Sequence, residues 1–110
     1  MATERPAILN EALDRLWIQF LPQMEERVAA LEIANAALEA RKLSPELCAK
    51  AHAAAHKLAG VLGTFDLTRG TILAREAEIL YSAEPDTDPE GAARLTVIAA
   101  QLRVIVAGRK

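Results

Sequence analysis

Apolar side chains between Ile8 and Leu38 recur at Leu9, Leu13, Leu16, Phe20, Met24, Val28, Leu31 and Leu38, in steps of three or four except for the last gap, where Ala34 or Asn35 falls. That spacing lines one face of an α-helix and predicts one long amphipathic helix, or two in register. Pro22 lies inside the pattern, lacking a backbone donor and crowding the carbonyl four residues back. The stripe keeps its phase across Pro22, which favours a kinked but continuous helix over a break that restarts there.

Arg41-Lys42-Leu43-Ser44-Pro45-Glu46 places basic residues at a helix end, then an N-cap serine, a first-turn proline and an acid. A second helix therefore begins near Pro45, with a core stripe of Leu47, Ala51, Ala54, Ala55, Leu58, Leu62 and Phe65. His52, His56, Ala59, Gly60 and Gly63 fall on its other side. The pattern resets between Thr64 and Asp66, where Asp66 reads as an N-cap. The next stripe is Ile72, Leu73, Ala77 and Leu80. Asp88-Pro89-Glu90 repeats the cap, proline, acid start and opens a last helix carrying Leu95, Ile98, Ala99, Leu102, Ile105 and Val106. Its β-branched residues suit a strand too, but no second strand candidate exists for it to pair with. Connections of roughly three to six residues force sequential helices to run antiparallel, so the fold class is all-α, an up-down-up-down four-helix bundle.

The 110 residues read as a single domain, 1–110, long enough to bury a core. Apolar residues reach 52% but aromatics only 4%, which fits compact helical packing and excludes disorder. A net charge of −2 with neither sign in a block gives no nucleic-acid footprint. No apolar run approaches the roughly 20 residues of a membrane span, and Met-Ala-Thr-Glu-Arg-Pro lacks a secretory apolar core. The single Cys48 excludes an internal disulfide, reads as a structural thiol and fits a reducing compartment. The expected location is the cytoplasm.

The candidate chemistry centres on His56. Gly60 and Gly63 share its helical face and leave an imidazole with few side chains around it. Each helical glycine costs about 1 kcal/mol relative to alanine, so the pair asks for a reason: close helix packing, the end of the helix, or a macromolecule landing there. His52 and His56 have metal-ligand spacing, but Ala53-Ala54-Ala55 between them lacks a metalloprotease glutamate and no further ligand cluster appears. His52 on its own reads as solvated surface, and no metal or cofactor is expected. Cys48 lies about 12 Å from His56 by helical rise, too far to act as its nucleophile, so autonomous catalysis is not expected. Phosphoryl relay asks for less: an imidazole with a pKa of about 6.5 keeps a lone pair at neutral pH, and a partner can supply the metal and the electrostatic clamp.

His56-Lys57-Leu58-Ala59-Gly60, followed by Gly63 and Phe65, resembles the signature of histidine-containing phosphotransfer (HPt) domains, roughly His-x-Leu-Lys-Gly followed by small residues and an aromatic or leucine. The resemblance extends along the chain, with Leu73-Ala74-Arg75-Glu76-Ala77-Glu78 in the third helix. It implies a four-helix bundle whose histidine takes a phosphoryl group from an aspartate on a response-regulator receiver domain and passes it on, a hybrid histidine kinase being a further partner. His56 is then the phosphoryl acceptor, and Lys57, Ala59, Gly60 and Gly63 border the docking surface. Two positions depart from the pattern: the family lysine three residues after the histidine is Ala59, and the glycine after the aromatic is Asp66. Lys57 points about 100° away around the helix and replaces the lysine only in part. The alternative is a helical interaction module that keeps the surface without the chemistry; a homodimer through an exposed stripe of the first helix is compatible with either.

Overall fold

A computed structural model describes residues 7–109, with side chains from Ile8 onward. The opening Met-Ala-Thr-Glu-Arg-Pro stretch, read above for a leader, lies outside the described residues. Four α-helices and one short 3₁₀ turn account for the described elements: α1 (Ala7–Glu39), α2 (Pro45–Thr64), α3 (Thr68–Ser82), the turn Pro85–Thr87 and α4 (Pro89–Gly108). Helix α1 packs on α2 and α4, and α3 packs on α2 and α4, which closes the ring of a four-helix bundle. No strand occurs among the described residues.

The helix starts follow local chemistry. The Ser44 hydroxyl accepts from the Leu47 N–H at 3.1 Å, and the Asp88 carboxylate accepts from the Gly91 N–H at 3.0 Å, each capping a helix whose first residue is proline. Helix α1 runs unbroken through Pro22, which is exposed.

Asp66 is a correction. It does not cap α3, whose N-cap is Leu67 without a side-chain bond. Instead Asp66 has φ 58° and closes α2: its N–H reaches the Gly63 carbonyl at 3.1 Å and the Leu67 N–H reaches the Leu62 carbonyl at 2.9 Å. This is a Schellman end, whose left-handed residue is the position that favours glycine. The same motif with Arg41 at φ 59° ends α1.

The core holds Trp17, Met24, Val28, Leu31, Leu58, Leu62, Leu73, Leu95, Ile98, Leu102 and Val106, with alanines filling the close contacts between helices. Leu13, Phe20, Leu80 and Ile105 pack against it half-buried, and three further stripe residues are exposed. Leu9, Leu16 and Ile72 are 45%, 39% and 61% exposed, because on α1 the buried face before Met24 is centred on Trp17, and on α3 it runs through Leu73, Ala74, Ala77 and Tyr81. Trp17 meets Phe65 edge-to-face at 5.1 Å, and the Arg109 guanidinium lies over both rings at 5.1 and 5.2 Å. Helix α4 is long and apolar enough to cross a membrane by length and composition, but its Leu95, Ile98, Ala99, Leu102 and Val106 face the bundle core.

One polar tie crosses this core. The buried Asn35 of α1 donates to the Leu95 carbonyl of α4 at 3.0 Å and accepts from the Tyr81 hydroxyl of α3. Burial, with a smaller contribution from Cys48, pushes the Tyr81 phenol well above its ordinary range, so it remains a donor. The Cys48 thiol of α2 in turn bonds the Tyr81 carbonyl at 3.3 Å. Burial, then Asp86, raises the Cys48 pKa, which keeps the sulfur a thiol in a structural role.

Candidate functional site

The second helix projects His56 from the side of the bundle, its side chain 72% exposed. It borders an open groove of about 460 Å³ between α2 and α3, lined by His52, His56, Ala59 and Gly60 on one side and Arg75, Glu78, Ile79 and Ser82 on the other. The Glu78 carboxylate reaches His56 Nδ1 at 2.9 Å and lies 3.8 Å from His52 Nε2. Glu78 is only 25% exposed, so this carboxylate is held behind the ring. A carboxylate only accepts, so in the neutral ring this contact favours the tautomer with Nδ1–H donating to Glu78 and the lone pair on Nε2.

The structure thus brings together His52, His56, Ala59 and Gly60 of that helical side and adds two side chains of α3 that periodicity alone did not single out, Arg75 and Glu78. His52 is half-exposed beside the carboxylate rather than simply solvated. A fixed spacing cannot pair residues on two helices, although the Arg75-Glu76-Ala77-Glu78 run was visible as part of the family resemblance. Ala59 is corrected: it is 5% exposed and forms the groove floor, because α3 lies across that side of α2 and Thr71 Oγ1 donates to the Ala59 carbonyl at 3.1 Å. Lys57 is exposed but lines a different groove, with Gln23, Glu26, Arg27 and Lys50, on the α1 side. No group of three His, Cys, Asp or Glu among the described residues is arranged to hold a metal ion.

The glycines separate by environment. A Cβ on Gly63 would sit 3.4 Å from Thr71 Oγ1, whereas a Cβ on Gly60 would meet nothing within 4 Å. Nothing inside the molecule therefore requires glycine at position 60. Gly60→Ala is expected to raise stability by about 1 kcal/mol, the ordinary helix-propensity gain, in urea or thermal denaturation. A loss of stability would show that Gly60 serves internal packing instead.

Next to the site, Arg94 of α4 grips Glu76 with two bonds of 2.5 and 2.8 Å, and this hydrogen bonding holds the Glu76 carboxyl below its usual range. Glu76 is thereby committed to α4, and Glu78 to the histidines.

The site is thus an exposed imidazole on the flank of a helical bundle, backed by one carboxylate and bordering an open groove. The chain belongs to the Hpt domain family, whose model matches residues 15–105. It is also 30% identical over 97 residues to Protein RcaC of Microchaete diplosiphon, covering 88% of this chain and 14% of that protein, so it spans a small part of that relative's length. No solved structure gives a significant match. Hpt domains carry phosphoryl groups rather than catalyse turnover, and they work with response-regulator and kinase partners in phosphorelays.

Proposed function

We propose that His56 is the phosphoryl acceptor of this domain, taking the group on Nε2 from the aspartyl phosphate of a receiver domain and passing it to another acceptor. The observation that carries this reading is the 2.9 Å contact between His56 Nδ1 and Glu78 on an otherwise open ring. The Nε2 lone pair forms the N–P bond while the acyl phosphate P–O bond breaks, and the aspartate leaves with that electron pair as a carboxylate. The ring keeps its Nδ1–H and becomes a phosphoimidazolium cation, which the adjacent Glu78 carboxylate stabilises. The receiver supplies the metal ion and the clamp on the leaving side; this chain supplies an oriented base and an open approach over Gly60 and Gly63. Residues 1–110 act as one domain in this scheme, and the proposed compartment is the cytoplasm, with which the free Cys48 is consistent.

Incubation with a phosphorylated receiver domain tests the assignment. The expected result is an acid-labile, base-stable label on the unaltered protein and none on His56→Gln. Label persisting on the variant would move the acceptor elsewhere. A protein that takes no label from any receiver is the interaction module without the chemistry.

A further inference from the structure

A phosphorylated His56 carries negative charge that its own ring does not balance. A phosphoryl group on Nε2 brings between about −1.5 and −2 charges at neutral pH, and Glu78 adds another behind a ring that carries only one positive charge. The family resemblance places a lysine at position 59, but Ala59 is buried in the groove floor. Something else must face the phosphoryl oxygens, or transfer will be slow.

Arg75 is the cation in the right groove. It stands on α3 three residues before Glu78 and four before Ile79, so all three lie on one face, and all three line the groove with His56. Its side chain is exposed, and the carboxylates nearest to it along α3 are already engaged: Glu78 by His56 at 2.9 Å, and Glu76 by Arg94 at 2.5 and 2.8 Å. Among the described residues Arg75 has no carboxylate within ion-pair distance. A guanidinium that stays charged, offers five donors and is not engaged by the fold is matched to a phosphoryl group in bidentate fashion.

We infer that Arg75 binds the phosphoryl oxygens during transfer to His56, supplying from α3 the positive charge that position 59 of α2 lacks. The role rests on His56 being the acceptor. It makes Arg75 a transfer residue rather than a docking residue, because its partner is the group in flight and not the receiver surface.

The test is the single-turnover rate of label uptake by the full chain from a receiver domain charged with acetyl phosphate, measured over a range of receiver concentrations. Arg75→Ala is expected to lower the saturating rate about 10- to 100-fold, as loss of a hydrogen bond to a charged group implies, with the half-saturating concentration little changed. Arg75→Lys should recover part of the loss. Because the side chain is exposed, the circular dichroism spectrum and melting temperature should match the unaltered protein. An unchanged saturating rate in Arg75→Ala, with label still on His56, overturns the inference and leaves the acceptor assignment standing. So does a rise in half-saturating concentration alone, which would make Arg75 a docking residue. No label on the unaltered protein overturns both.

Discussion

Leu62→Ala is expected to lower unfolding free energy by about 2–5 kcal/mol, a large share of the roughly 5–15 kcal/mol that holds a domain of this size. Leu62 is fully buried near the end of the helix that carries His56. Its side chain occupies the space over Gly70 of α3, where a Cβ would come within 2.9 Å of Leu62 Cδ1 and 3.4 Å of Ile105 Cγ2. The pair should therefore be coupled. Gly70→Ala alone gains helix propensity but crowds the leucine, and overpacking costs about 1–3 kcal/mol, so the net change is expected to be destabilising. In the Leu62→Ala background the obstruction is gone and the same substitution should stabilise. Urea titrations of the four proteins check this, and strict additivity would show that Leu62 and Gly70 do not share that space. Gly60, two residues before Leu62 on the same helix, is expected to respond to alanine in the opposite sense to Gly70, although both are helical glycines.

Glu78→Ala is expected to slow phosphoryl uptake by His56 about 10- to 100-fold, with little effect on folding. Two contributions are lost: the acceptor that keeps the proton on Nδ1, and the negative charge that stabilises the phosphoimidazolium. Glu78→Gln separates them. Its amide oxygen can still accept from Nδ1–H, but its NH₂ can instead donate to Nδ1 and place the ring proton on Nε2, the tautomer that cannot attack. Glutamine should therefore fall well short of the unaltered protein despite its near-identical shape. Nitrogen-15 spectra of His56 report the tautomer directly, and an unchanged Nδ1–H population in Glu78→Ala would remove the orienting role.

The helix boundaries were legible because they are local. Ser44 and Asp88 cap as their spacing to Pro45 and Pro89 implies, and the stripes of α2 and α4 are the buried ones with Leu47 and Ile105 at the margin. What was not legible is set between helices. Position 59 lies off the core stripe of α2 yet is buried, because the width of the covered face depends on where α3 lies. Asp66 has the composition of an N-cap, but the turn needed a left-handed residue before α3 could begin, and that need follows from how two helices are joined. The exposure of His56 could be read from its own helix; Glu78 and Arg75, from the neighbouring helix, only the fold could place beside it.

The tie among Asn35, Tyr81 and Leu95 has a consequence on the far side of α3. A core so rich in alanine presents smooth helix faces that can slide along one another, and one satisfied polar contact selects a single axial offset. Tyr81 follows Glu78 by three residues on α3, and its backbone is also bonded to Cys48 of the histidine helix at 3.3 Å. The height at which Glu78 meets His56 is therefore registered from behind, by the buried amide of Asn35. The vernier of this surface lies inside the bundle.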